Sequence, residues 1–223
     1  MAVNREAYVQ LIGELGARQA RLVAVSKTKS VQDIQALYEL GQRDFGENYV
    51  QELLTKQPSL PADIRWHFIG HLQRNKVKFL APFVHLVQSV DSGSLLAEID
   101  RQARQAGRVI DCLLQVHIAQ EETKFGLDEP QLDQLLQPAT LKSLPGVRIA
   151  GLMGMASLTA DASQVHAEFH RLRLLFDRYA SRKDILADFR WLSMGMSGDY
   201  SIALAEGSNL VRIGSLLFGA RGQ

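Results

Sequence analysis

Cysteine is nearly absent: Cys112 is the single one in 223 residues. One thiol excludes an internal disulfide and a cysteine-built metal cluster, and it suits a reducing, cytoplasmic setting. Neither sign of charge dominates, with 25 Lys and Arg against 24 Asp and Glu. No basic excess is available to hold nucleic acid, and no basic amphipathic tail offers itself to a membrane surface. Long hydrophobic runs are missing too. The longest uncharged stretches, residues 79–90 and 149–160, have 12 residues each, short of the roughly 18 a bilayer-spanning helix needs. Residues 1–6 hold no apolar run with a cleavage site, so no secretory signal is expected. No Pro/Gly/Ser linker or low-complexity segment interrupts the chain, and 46% hydrophobic residues is ordinary for a globular protein.

What is present is an alternation. Short apolar or β-branched runs are each followed by a longer stretch of helical periodicity. Eight strands are expected, at residues 21–28, 44–48, 65–70, 84–90, 111–119, 147–155, 190–197 and 210–219. Between them, Val31, Ile34, Leu37 and Tyr38 form one helical stripe, Ser92 caps a helix running to Gln105, and Asp161 caps one running to Tyr179. Ahead of the first strand, Val9, Ile12 and Leu15 mark a further helix over residues 5–19. Strict βα alternation favours a parallel sheet covered by helices. Eight repeats favour closure into a single (β/α)8 TIM barrel over residues 1–223; an open doubly wound sheet is the rival. Only four residues follow Gly219, so the extra N-terminal helix is expected to fill the place of an eighth outer helix.

Barrel active sites lie at the C-terminal ends of the strands. The first strand ends in Val25-Ser26-Lys27-Thr28-Lys29. Alternation puts Val23, Val25 and Lys27 on one face. If that face is inward, Lys27 enters the barrel mouth, where burial disfavours the ammonium and a neutral amine can form an imine with a carbonyl compound. Outward snorkelling of the same side chain is the alternative. Lys29 shares the parity but lies further into the loop. The seventh strand ends in Ser193-Met194-Gly195-Met196-Ser197 and the eighth reads Val211-Arg212-Ile213-Gly214-Ser215. Gly195, Ser197, Gly214 and Ser215 are the residue types of a phosphate cradle, or else simply allow tight turns. Arg212, set in an apolar strand, needs a partner: an ion pair at the rim or a ligand's ring nitrogen or carboxylate. Asn48 either caps a helix or touches a ligand. His67 and His71 are four apart, but Gly70 breaks a helical face between them and no carboxylate stands nearby in the sequence, which argues against a metal. Lys124 reads as a loop charge beside two glutamates, Met153 and Met155 as barrel core, and Cys112 as inert packing.

Together these segments resemble a known family. Ala24-Val25-Ser26-Lys27-Thr28-Lys29, Phe45-Gly46-Glu47-Asn48-Tyr49-Val50-Gln51-Glu52, Trp66-His67-Phe68-Ile69-Gly70, Leu192-Ser193-Met194-Gly195-Met196-Ser197 and Val211-Arg212-Ile213-Gly214-Ser215 look like the pyridoxal phosphate homeostasis protein family, in its order and over residues 21–221. The resemblance implies the fold-type III barrel of the alanine racemase N-terminal domain. It implies pyridoxal 5′-phosphate held on Lys27 as an internal aldimine, a Schiff base. Ser193, Ser197, Gly214 and Ser215 would then bind the cofactor, the last three through its phosphate. Arg212 would face the pyridine nitrogen, Lys124 would lie near the phenolic oxygen, and Asn48 and Met153 would line the ring. His117 departs from the asparagine common in the family, and Ser30 stands where proline is common.

An arginine at the ring nitrogen stays protonated and cannot accept a proton, which leaves the ring a poorer electron sink. Barrel racemases also draw a second acid/base from an added domain, for which the chain after strand eight leaves no room. The expectation is therefore a cytoplasmic, monomeric protein of vitamin B6 homeostasis and amino/keto acid balance with little or no turnover. Its partners would be pyridoxal phosphate and, beyond it, amino acids or cofactor-free enzymes. A pyridoxal phosphate-dependent racemase or decarboxylase, and a cofactor-free Schiff-base aldolase, are the alternatives.

Overall fold

The computed structural model describes residues 3–120, 125–184 and 186–219. Eight parallel strands close on themselves in sequence order. They are β1 (Arg21–Val25), β2 (Asp44–Glu47), β3 (Arg65–Phe68), β4 (Leu86–Val90), β5 (Ile110–Val116), β6 (Val147–Gly154), β7 (Trp191–Ser193) and β8 (Leu210–Ile213). Around them lie α1 (Arg5–Ala17), α2 (Val31–Glu39), α3 (Val50–Lys56), α4 (Val77–Leu80), α5 (Gly93–Gln105), α6 (Glu129–Leu135), α7 (Pro138–Lys142), α8 (Ala162–Ala180), α9 (Tyr200–Ala205) and α10 (Ser215–Phe218). The (β/α)8 barrel expected from the alternation is the fold observed. No helix among the described residues is long and apolar enough to cross a membrane.

Local chemistry starts the helices where the sequence suggests. Ser30 and Asp33 form a reciprocal capping box at α2, so the residue standing in place of a common proline has a structural task. Ser92 accepts from Leu95 N–H, and Asp161 accepts from Ser163 and Gln164 N–H. The longest helix, α8, buries Val165, Phe169, Leu172, Leu175 and Tyr179, a spacing that keeps one face on the sheet. Truncating the fully buried Leu172 to Ala is expected to cost about 2–5 kcal/mol.

The strands stop short of their expected ends: β7 at Ser193 and β8 at Ile213. Beyond those points the chain leaves the ladder to build the mouth, and residues 215–218 form a one-turn helix rather than more strand. That turn is too short to cover the β8–β1 seam. There α1 packs against both β1 and α10, and Asn4 N–H donates to the Leu217 carbonyl, as expected of the added N-terminal helix.

Inward parity is set strand by strand. Val23, Leu86, Leu113, Ala150, Met153 and Leu210 pack together inside the barrel. On β6 the inward residues are three apart because the register shifts opposite Cys112/Leu113, at Gly151. Gly151 has φ +150°, and a Cβ there would lie 1.8 Å from the Trp191 carbonyl oxygen. The bulge turns Met155 towards the mouth. Cys112 is fully buried in the outer core, and burial pushes its thiol up, as inert packing requires.

Candidate functional site

A cavity of about 310 Å³ opens at the C-terminal ends of the strands, lined among others by Lys27, Asn48, Met155, Ser197, Arg212 and Ser215. The sequence-predicted Lys27, Asn48, Ser197, Arg212, Gly214 and Ser215 are thus brought together from β1, β2, β7 and β8. Three predicted residues stand elsewhere. Met153 is fully buried among the inward core side chains, and Met155, one inward position on, lines the wall in its place. Ser193 is fully buried beneath the cavity. Its hydroxyl meets Arg212 and Gln88, so it reaches the mouth only through the arginine. Gly195 is likewise outside the lining, and its carbonyl accepts from the Arg212 backbone N–H. Lys124 lies outside the described residues.

Lys27 follows β1 on the parity of Val23 and Val25 and is half-buried at the cavity wall. Lys29 also lines the cavity, but its amine donates to the Phe218 and Gly219 carbonyls. A buried network behind the wall fixes the loop between them. Lys56 Nζ donates to the Ser26 carbonyl (2.8 Å), to Glu47 (2.8 Å) and to Glu52 (2.6 Å). Ser26 Oγ donates to Glu47, and Thr28 N–H donates to Glu52. Thr28 adopts φ +63°, an unfavourable conformation for a β-branched residue. The hydrogen bond that its backbone N–H donates to Glu52 holds it there. Burial raises the Glu47 carboxyl, outweighing Lys56 and Ser26, which pull it down. Sequence reading missed this network. Its signal was the Glu52–Lys56 spacing of four on α3, one helical turn, with Glu47 at the end of the preceding strand.

Asn48 does not cap α3, which starts without a side-chain cap at Tyr49. Its Oδ1 is buried with no hydrogen-bond partner. Gly70 permits this placement, since a Cβ there would lie 2.3 Å from the Asn48 carbonyl oxygen. Arg212 is 4% exposed. Its Nη1 donates to Ser193 Oγ (2.6 Å) and its Nη2 to the Gly154 carbonyl (3.0 Å). Burial lowers the guanidinium to about 10 against the attraction of Asp199, so it remains a cation at neutral pH. Gly214 N–H donates to Ser197 Oγ (3.4 Å), tying the two loops of the expected cradle together.

Both histidines do have carboxylate partners, brought by the fold from distant strands. His67 Nε2 lies 3.0 Å from Asp44, and His71 Nδ1 lies 3.0 Å from Asp91. The two rings serve separate places: His67 faces the barrel interior, and His71 stacks on Phe125. Ligand atoms of Asp44, His67 and His85 come within 4.8 Å of one another, but Asp44 already accepts two bonds from Arg65 as well as that of His67. Such a carboxylate favours an ion pair over a metal.

The polar residues that line the cavity fit a flat heteroaromatic phosphate. The unsatisfied Asn48 oxygen and the buried guanidinium suit a polar ring, the hydroxyls of Ser197 and Ser215 an anion, and Lys27 a carbonyl. Relatives agree in outline. Residues 5–222 match the family of the alanine racemase N-terminal domain. A pyridoxal phosphate homeostasis protein of Aquifex aeolicus is 40% identical over 92% of this chain and 89% of its own. The solved structure of PipY from Synechococcus elongatus is 36% identical, covers 96% of this chain and 99% of its own, and superposes with a TM-score of 0.89; PipY has also been solved with PLP bound. Alanine racemase from Bartonella henselae shares the fold at 19% identity and a TM-score of 0.68, over 59% of its own length. The chain belongs to the alanine racemase N-terminal domain family and, within it, to the pyridoxal phosphate homeostasis proteins.

Proposed function

We propose that this protein binds pyridoxal 5′-phosphate in the mouth of its barrel and serves cofactor homeostasis, with little or no turnover of amino acids. The observation that carries the reading is the convergence on one cavity of the Lys27 amine, the buried Arg212 cation and the Ser197–Gly214–Ser215 turn pair. Pyridoxal phosphate, when bound, supplies an aldehyde that condenses with amines and a ring that draws electrons from them. Lys27 would be the amine that holds it, since it continues the inward parity of Val23 and Val25 to the cavity wall. Ser197, Gly214 and Ser215 would take the phosphate, and Asn48 and Met155 would border the ring. Arg212 would donate to the ring nitrogen. With no acceptor atom of its own, it keeps that nitrogen unprotonated and so restrains carbanion chemistry. A buried single thiol suits the cytoplasm. We take the protein as a monomer that exchanges its cofactor with amino acids and cofactor-free enzymes.

Intact mass before and after borohydride reduction tests the site. Incubation with pyridoxal phosphate is expected to leave one stable adduct, mapped to Lys27; an adduct on Lys29, or none, refutes the assignment. Incubation with single L-amino acids is expected to yield no sustained racemisation or CO₂ release; turnover abolished by Lys27→Ala would establish an enzyme instead.

A further inference from the structure

The inside of a TIM barrel is ordinarily filled by layers of branched apolar side chains. Here one side of it is polar. Asp44, His67, Gln88, Ser193 and Arg212 point inward from β2, β3, β4, β7 and β8, none more than 7% exposed. They form an unbroken series of hydrogen bonds from the floor of the cavity to the opposite end of the barrel: Arg212 to Ser193 (2.6 Å), Ser193 to Gln88 (2.6 Å), Gln88 to His67 (2.9 Å) and His67 to Asp44 (3.0 Å). We propose that Ser193, Gln88, His67 and Asp44 are positioning residues that orient Arg212 from the far end of the barrel. This rests on the reading of Arg212 as the partner of a ring nitrogen.

Chemistry fixes the direction of every link. Arginine has only donors, so Ser193 Oγ accepts from Arg212 and sends its own proton to Gln88 Oε1. That turns the Gln88 amide nitrogen to His67, whose Nδ1 must then accept. The remaining ring proton sits on Nε2 and is donated to Asp44. Asp44 closes the series as a carboxylate, clamped by Arg65 Nε (2.7 Å) and Nη2 (2.6 Å). Burial works to raise its carboxyl, but the bonds from Arg65 and His67 prevail and hold it below the usual carboxylate range. Among the described residues, Gln88 and Ser193 make no other side-chain hydrogen bonds. A buried network whose every link has a fixed direction favours one arrangement of its members. Two of the five N–H donors of Arg212 are thereby committed to Ser193 and Gly154, which fixes where the others point.

The test uses Ser193→Ala, with Ser193→Thr as the variant that keeps the hydroxyl. In the cofactor-free protein, ¹⁵N NMR of the His67 ring should show the Nε2–H tautomer for wild type and Ser193→Thr. Ser193→Ala should yield a tautomer mixture, because the Gln88 amide is no longer held. A His67 ring unmoved by Ser193→Ala overturns the relay. In the pyridoxal phosphate-loaded protein, Ser193→Ala should shift the absorption band of the bound cofactor and weaken binding roughly tenfold, while the borohydride adduct on Lys27 persists. An altered tautomer with an unchanged band and affinity overturns the positioning role. Should Ser193→Ala not fold, Gln88→Met, similar in volume, is read by its absorption band and affinity against the same criterion. Failure of the wild type to bind pyridoxal phosphate would instead refute the proposed function, and the tautomer measurement is independent of it.

Discussion

At the N-terminal ends of the strands, Asp44 is met by Arg65 and His67, and Asp111 by Arg148 (2.6 Å) and Arg190 (3.4 Å). At the C-terminal ends, the buried Arg212 donates to a hydroxyl and a carbonyl, and the buried Asn48 oxygen has no partner. One end neutralises its charges within the protein. The other pairs Lys56 with Glu47 and Glu52 but leaves bonding capacity on Arg212 and Asn48, which line the cavity. Leaving buried polar groups unmatched costs folding free energy, so the asymmetry marks the mouth as the end shaped for a ligand and the floor as the end shaped for stability.

Substitutions at the two ends should therefore separate the two properties. The largest effect is expected at the mouth: Lys27→Ala abolishes the borohydride-stable adduct, read by intact mass, and leaves the urea midpoint nearly unchanged. Lys29→Ala keeps the adduct. At the floor, Asp44→Asn should lower stability by about 2 kcal/mol in urea unfolding, less than a fully buried pair because Arg65 is part-exposed, with the adduct still formed. Gly70→Ala drives a methyl into the Asn48 backbone; binding of pyridoxal phosphate, followed by absorption titration, should weaken roughly tenfold, about 1.4 kcal/mol.

The smallest effect is a pH slope, and it belongs to the floor. Local desolvation of the ring lowers His85 from 6.5 to about 4. Between those values the unfolded chain takes up a proton that the folded one refuses, so stability falls as pH drops through that window. Asp44, held below its usual range, adds a further loss only below its unfolded value of about 4. Urea midpoints measured from pH 7 to 4 should decline for wild type and decline less for His85→Asn. An unchanged slope would assign the acid sensitivity elsewhere.

Much of this was legible in the sequence. The alternation of Val23, Val25 and Lys27 places the amine at the cavity wall, and Ser197, Gly214 and Ser215 from the ends of β7 and β8 line the same cavity, while Gly195 does not. Strand ends were overextended because residues that serve the mouth keep an extended look after leaving the ladder, as in 194–197. Met153 and Met155 were not separable, since the choice depends on the bulge at Gly151, which period-two reasoning does not contain. The relay was out of reach for a different reason. Its five members come from five strands and are joined only by register; Gly46 pairs with His67, which brings Asp44, one inward position before Gly46, under the ring. His67 therefore looked to be without a carboxylate, though one stood a strand away.

The Lys29 amine reaches from the loop after the first strand to the carbonyls of Phe218 and Gly219, and Asn4 N–H fastens to Leu217 beside it. Both extremities of the described fold are thus knotted to the same short turn, next to the loop that presents Lys27. Clipping that final turn would act less like trimming a loose end than like pulling the pin from a hinge: the damage would surface at the Lys27 loop, nearly two hundred positions earlier.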